Sequence, residues 1–201
     1  GRCWLFAGLN VLRELVANKL ELKDFEFSQN YQAFWDKFEK INFFLESMDD
    51  FLTVDNDDRT LKHLLQLGIQ DGGQWDMFVS LVEKYGVVPK EAMPETHASS
   101  NTAQMNRFIN IKLRQYAARS RALAKDNKTE EIGHLKLKTL EELYGFLVTN
   151  FGIPPQEFNF EYVTKKNSYH IEKKLTPQSL YKSVCQINLN DYVSVINSPT
   201  N

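Results

Sequence analysis

With 201 residues, 42% hydrophobic and 25% charged, the chain has the composition of an ordinary globular protein, which excludes the collagen-like and disordered classes. Its 24 basic and 26 acidic residues leave a net charge of −2, so a nucleic-acid partner is not expected. Cys3 and Cys185 form no close-spaced pair and indicate neither a metal knuckle nor a disulfide framework, so a reducing, cytoplasmic compartment is expected. No apolar run approaches the roughly 20 residues that span a bilayer, and no membrane partner is expected.

Apolar residues at helical spacing predict helices over most of the first 152 residues. In chain order, the predicted helices cover 3–16, 28–48, 60–67, 75–85, 102–125 and 129–151. Ser28 can cap the second helix, and Gly86 and Gly152 are placed to end the fourth and the sixth. The acidic segment 49–58 and the segment 70–73 are predicted as loops. The last two helices are expected to form a helical hairpin.

The pattern changes after residue 153. Aromatic and polar residues alternate over 158–162, a turn follows at 165–168, and a second strand is predicted at 169–171, which together give a β-hairpin. Thr176, followed by proline, predicts the start of a short helix, because proline suits the first helical position. Residues 191–196 are predicted as a further strand.

Two sets of side chains could be interpreted as binding surfaces. The aromatic side chains at helical spacing are more typical of a core than of a ligand site; they include Trp4, Phe34, Trp35, Phe38 and Trp75. The basic side chains of the predicted helix 102–125 are interpreted as a solvated helix face; they are Lys112, Arg114, Arg119 and Arg121.

Cys3 lies at the start of the first predicted helix. The first backbone N–H groups of a helix and its macrodipole stabilise negative charge, which a thiolate nucleophile needs. Cysteine is also among the residue types most often buried, so its position alone leaves an inert packing role open.

The run Gly1-Arg2-Cys3-Trp4-Leu5-Phe6-Ala7 closely resembles the nucleophile segment of papain-like cysteine peptidases, in the form found in bleomycin hydrolases and bacterial aminopeptidases C. Other segments are similar to the same subfamily; they are 28–37, 71–76, 83–89, 94–96, 159–162 and 192–197. The resemblance implies that Cys3 is the nucleophile and forms a thioester with a peptide carbonyl while a histidine protonates the leaving amine.

The family takes that histidine, and the asparagine that orients it, from a region well C-terminal to the nucleophile, and its oxyanion-hole glutamine from a position shortly before it. We therefore expect this chain to be the front part of a longer enzyme. His63, His97, His134 and His170 lie in no segment that resembles the catalytic one, and each is expected to be exposed or structurally hydrogen-bonded. Their scattered spacing indicates no metal site, and no cofactor is expected.

The segment 71–76 carries a second functional prediction. A glycine pair can let a substrate backbone approach closely and hydrogen-bond as a short added strand, although it is also typical of a flexible turn. By resemblance, Gly72, Gly73 and Asp71 are assigned to substrate binding.

The resemblance implies an α+β chain, the helical half of a papain-like fold with a helical insertion and the first β elements. The expected parts are a nucleophile-bearing helical half over 1–101, a helical hairpin insertion over 102–152, and the start of the β-rich half over 153–201. The intact protein is expected to be a cytoplasmic aminopeptidase that releases N-terminal residues from peptides and assembles as a homohexamer. Two alternatives stay open: a related oligopeptidase that cleaves internally, and a non-catalytic helical fragment that serves interactions.

Overall fold

The computed structural model describes residues 2–193 and 195. Contacts divide the chain into two compact units, each assembled from separated segments. The first unit comprises Gly1–Gln32, Gly72–Pro94 and Pro155–Asn201, and the second comprises Ala33–Asp71 and Glu95–Pro154. The boundaries at 101 and 152 follow the family resemblance rather than these contacts, and they stay a prediction.

Helices dominate both units. In chain order the elements are α1 (Cys3–Lys19), α2 (Gln29–Ser47), α3 (Arg59–Leu67), α4 (Trp75–Tyr85), α5 (His97–Ser100), α6 (Ala103–Lys125), α7 (Thr129–Phe151), β1 (Phe158–Val163), β2 (Tyr169–Leu175) and α8 (Pro177–Ser179). Short 3-10 helices lie at Met48–Phe51, Lys90–Ala92 and Leu189–Asp191, and a π-helix follows α8 at Leu180–Cys185. All six helices predicted from periodicity are confirmed.

In the first unit, α1 buries the face that carries Leu5, Leu9, Leu12 and Val16. Gly8 lies on the same face, and a Cβ at this position would come within 2.6 Å of the Phe78 ring of α4. The two helices therefore approach more closely than any larger residue at this position would allow. This packing fixes the helix that begins at Cys3.

The start of α2 and the end of α4 also belong to the first unit. Ser28 caps α2 as predicted: its hydroxyl oxygen accepts the N–H of Tyr31 at 3.0 Å, and the hydroxyl donates to the carbonyl of Met93. Gly86 ends α4 with φ of 73°, a region that favours glycine, and a Cβ there would meet the backbone of Pro177. Both predicted helix ends are confirmed.

The predicted β-hairpin is confirmed. β1 and β2 pair antiparallel, with Phe160 opposite Glu172, and Phe160 is buried against the edge of Phe25. The strand predicted at 191–196 is wrong for the residues described: residue 191 ends a 3-10 helix, and 192, 193 and 195 lie in no strand. The Tyr192 N–H donates to the carbonyl of Leu189 and closes a turn instead of a ladder. Residues 194 and 196 lie outside the described part of the chain.

In the second unit, α6 and α7 pack against each other as the predicted hairpin. Phe34 of α2 lies at the centre of an aromatic cluster and contacts Tyr144 and Phe151 of α7 edge to face. On the basic face of α6, Arg114 and Arg119 are exposed, whereas Arg121 is half-buried and donates to the carbonyls of Phe51 and Val54. For Arg121 the solvated interpretation is wrong, because its guanidinium satisfies backbone acceptors of the acidic loop.

Candidate active site

Cys3 is the first residue of α1 and its side chain is exposed. The N–H groups of Leu5 and Phe6 both donate to the carbonyl of Arg2, at 3.0 and 3.2 Å, and these bonds close the first turn. The first turn of α1 carries no acidic side chain, so no carboxylate of its own offsets the positive end of the helix dipole.

Gly73 packs against the residue that follows Cys3. A Cβ on Gly73 would come within 2.5 Å of Cζ2 of the Trp4 indole and 2.7 Å of Cδ2, which real contacts do not allow. The indole is half-buried, and its ring atoms are part of a rigid plane, so it cannot yield as a flexible chain end would. The absence of a side chain at Gly73 is thus needed for the packing of the nucleophile segment.

Gly72 differs from its neighbour. It is exposed, and nothing lies within 4 Å of the place where its Cβ would stand. The backbone can therefore be approached from that side. The structure brings Gly73 to the nucleophile segment and leaves space at Gly72, and the substrate-binding role of both residues stays a prediction.

Asp71 lies in the second unit and is held by three side-chain donors. Lys37 Nζ lies 2.5 Å from Oδ1, Asn106 Nδ2 donates to the same oxygen at 3.0 Å, and Thr102 Oγ1 donates to Oδ2 at 2.7 Å. Burial acts to raise the pKa of Asp71, but the hydrogen bonds from Lys37, Asn106 and Thr102 outweigh it and hold that pKa well below its ordinary value. These contacts favour a structural role for the carboxylate, and the assignment of Asp71 to substrate binding stays a prediction.

Cys185 is buried, whereas Cys3 is exposed. Its side chain is 0% exposed, and burial raises the pKa of the thiol to about 12, against a smaller opposing influence from Lys19. Both cysteines are free. A reagent that needs an accessible thiolate should therefore react with Cys3 in preference to Cys185.

The four histidines are all exposed, as expected, and the ring of His170 stacks on Tyr162 with centroids 5.1 Å apart. Within residues 2–193 and 195, no group of three or more His, Cys, Asp or Glu side chains is placed to hold a metal ion. None of the helices in the described part of the chain combines the length and apolarity needed to cross a bilayer.

Residues 1–201, the whole chain, match the Peptidase C1-like family. The chain belongs to this family. The match confirms the family resemblance that the nucleophile segment and the later motifs indicate.

Relatives within the family carry peptidase names. Aminopeptidase C of Listeria innocua is 47% identical over 200 residues, a region that covers 100% of this chain and 45% of the relative. Bleomycin hydrolase of Rattus norvegicus is 39% identical over 204 residues, covering 99% of this chain and 45% of the relative. The chain thus spans less than half the length of the curated relatives it matches.

A solved structure has the same fold. The crystal structure of PepW from Lactobacillus rhamnosis superposes with a TM-score of 0.94 and 46% sequence identity, covering 100% of this chain and 45% of that one. This likeness confirms the predicted α+β class, a mostly helical part of the family fold with the first β elements.

Sequence patterns did not identify the residues that hold the Asp71 carboxylate in the structure. Lys37 could have been noticed, because it lies three residues after Phe34 and four before Ile41 on the buried stripe of α2, where a charged side chain is out of place. Asn106 and Thr102 give no such signal, since both are ordinary polar residues near a helix start.

Proposed function

We propose that this chain carries the nucleophile of a cysteine aminopeptidase and that Cys3 is that nucleophile. The observation that supports the proposal most directly is an exposed thiol at the first residue of α1, in a chain whose whole length matches the Peptidase C1-like family. The names of the relatives, aminopeptidase C and bleomycin hydrolase, support the aminopeptidase assignment.

The proposed reaction is acyl transfer through a thioester. The Cys3 thiolate attacks the carbonyl carbon of the first peptide bond, the C–N bond breaks, and the amine leaves with a proton from an imidazolium. Water then attacks the thioester, which releases the N-terminal residue and restores the thiolate. The backbone N–H of Cys3 is a donor for the developing oxyanion, because the first N–H groups of a helix have no acceptor within that helix.

Substrate is proposed to lie along the exposed side of Gly72. Nothing lies within 4 Å of its Cβ position, and a substrate backbone bound on that side would hydrogen-bond to the loop as an added strand. Gly73 contributes indirectly, because its contact with Trp4 keeps the loop against the segment that carries Cys3.

The test uses the full-length gene product and peptides with free or acetylated α-amino groups. We expect release of free N-terminal residues from the unblocked peptides and no cleavage of the acetylated ones. Cys3→Ser should lower kcat by at least about 10³-fold, whereas Cys185→Ala should leave it within about twofold. Internal cleavage of acetylated peptides would instead identify an oligopeptidase, and full activity of Cys3→Ser would refute the assignment of the nucleophile.

From the family resemblance we also propose that the full-length protein is cytoplasmic and assembles as a homohexamer. Two free cysteines, one of them exposed, agree with a reducing compartment. Light scattering during size-exclusion chromatography of the full-length protein should give six times the chain mass. A monomer at micromolar concentration would contradict the proposed assembly, and recovery of the protein outside the cytoplasm would contradict the compartment.

A further inference from the structure

The segment just before Gly72 is hydrogen-bonded at each of three consecutive residues, through the backbone at Ile69 and Gln70 and through the carboxylate at Asp71. At the first of them, the Asn110 side-chain amide hydrogen-bonds to both backbone groups of Ile69. The Ile69 N–H donates to Asn110 Oδ1 at 2.8 Å, and Asn110 Nδ2 donates to the Ile69 carbonyl at 3.1 Å. These two bonds from one side chain fix the backbone of Ile69 on α6. We call residues 69–71 the stem.

Two lysines of α2 hold the rest of the stem. Lys37 Nζ donates to the Gln70 carbonyl at 3.2 Å and to Asp71 Oδ1 at 2.5 Å, and Lys40 Nζ donates to the same Gln70 carbonyl at 2.9 Å. The Asp71 carboxylate also receives the side chains of Asn106 and Thr102 at the start of α6. Every residue of the stem is thus tied to α2 or α6 within the second unit.

Lys37 is unusual within this network because its side chain is only 1% exposed. Lysine is almost never fully buried unless it is paired, and the desolvation of a buried ammonium offsets much of what its ion pair contributes to stability. A well-packed apolar residue would serve stability as well. Unlike an apolar side chain, the Lys37 ammonium makes directional hydrogen bonds, and these hold the Gln70 carbonyl and the Asp71 carboxylate at the same time.

The stem leads directly into Gly72, and Gly73 lies against Trp4 within the first unit. We propose that Lys37 is a positioning residue that, through Gln70 and Asp71, sets where the Gly72–Gly73 loop begins and thereby how well the loop binds a substrate backbone. This inference rests on the proposed function. Lys37 acts through the stem, so its loss should weaken substrate binding more than it slows the bond-breaking step.

The first experiment measures steady-state kinetics of the full-length protein with Lys37→Met, which keeps an unbranched side chain one heavy atom shorter than lysine and removes its donors. We expect KM to rise about tenfold with kcat within about twofold, because an interaction made equally with substrate and transition state affects KM alone. Lys62→Met is the matched control: Lys62 pairs with Asp57 at 2.7 Å at the surface and should leave both constants unchanged. A fall in kcat with unchanged KM in Lys37→Met would overturn the proposal.

A double variant separates positioning from stability. Lys37→Met alone leaves the half-buried Asp71 carboxylate without the Lys37 ammonium, so Tm should fall. Lys37→Met with Asp71→Asn removes both charges, and Tm should recover while KM stays raised, since the Gln70 carbonyl still lacks the Lys37 donor. Recovery of KM together with Tm would mean that Lys37 is merely structural.

Hydrogen–deuterium exchange gives a readout that does not need activity. Amides of residues 69–75 should exchange faster in Lys37→Met and in the double variant than in the unsubstituted protein, and Lys62→Met should match the unsubstituted protein. Unchanged exchange in this segment would refute the inference even if KM moved. If the unsubstituted protein cleaves no peptide, the proposed function fails, and the exchange experiment still decides whether Lys37 fixes the loop.

Discussion

The contact between Gly73 and Trp4 makes a quantitative prediction. In Gly73→Ala the new methyl group would lie 2.5 to 2.7 Å from atoms of the indole ring, so the ring or the loop must move by about an ångström to restore ordinary contact. Overpacking of this kind costs about 2 kcal/mol. For a unit of 150–250 residues that corresponds to a fall in Tm of about 4–8 °C, and the fall is smaller in a longer full-length chain because the entropy of unfolding rises with chain length.

Gly72→Ala is the matched control, because it adds the same methyl group one residue away in open space. Its φ lies outside the left-handed region, so alanine fits the backbone, and Tm should change by less than about 2 °C. The two variants should also differ in activity. Displacement of Trp4 moves Cys3, and a misplacement of that order costs about 10²-fold in kcat, whereas Gly72→Ala should raise KM by obstructing the substrate backbone.

The assay combines differential scanning calorimetry of the full-length protein with steady-state kinetics of both alanine variants. Equal stabilities for the two variants would refute the idea that Gly73, and not Gly72, is required for packing on Trp4. Unchanged kcat in Gly73→Ala, despite a lower Tm, would refute the link between this contact and the position of Cys3.

Three further predictions concern the fold that supports the site. Gly86→Ala combines a φ of 73° with a clash against the Pro177 backbone and should lower the free energy of unfolding by at least about 4 kcal/mol in chemical denaturation. The control Gly133→Ala, in open space on α7, should be neutral or stabilising. Equal effects of the two substitutions would contradict the requirement for glycine at position 86. Ser28→Ala removes a buried cap and should cost about 1–2 kcal/mol by the same measurement, and an unchanged midpoint would refute the cap's role. The folded pKa of Asp71 lies below its unfolded value, so the contribution of this carboxylate to stability is full at neutral pH and is lost as pH falls through the folded pKa. Between about pH 6 and about pH 3 the free energy of unfolding should therefore fall less in Asp71→Asn than in the unsubstituted protein. Parallel curves for the two proteins would contradict this.

Most of the fold could be predicted because long helices leave a periodic apolar pattern in the sequence. The same reasoning missed α5, which has four residues, and the π-helix after α8, because segments this short show no periodicity. The strand at 191–196 was predicted from β-forming residue types alone. Such residues form a strand only where a partner strand is present, and local sequence does not say whether one is.

Some features of the candidate site could likewise be predicted from local sequence, and others could not. The position of Cys3 at a helix start is a local property and could be predicted. The contact of Gly73 with Trp4 joins residues far apart in the chain, and the Lys37–Asp71 pair is separated by 34 positions. The place of Lys37 on the buried stripe of α2 indicates that it needs a partner, but a single sequence does not identify which acidic residue the fold brings to it.

The central claim is that Cys3 is presented as a reactive nucleophile, and differential labelling of the two thiols tests it most directly. The full-length protein is treated at neutral pH with a thiol-directed peptidase inhibitor, and the labelled peptides are quantified by mass spectrometry over time. We expect Cys3 to react at least about 10²-fold faster than Cys185, whose burial raises its thiol pKa to about 12, with activity lost in proportion to Cys3 labelling. Equal and slow labelling of both thiols, or full activity after Cys3 is completely modified, would contradict the account.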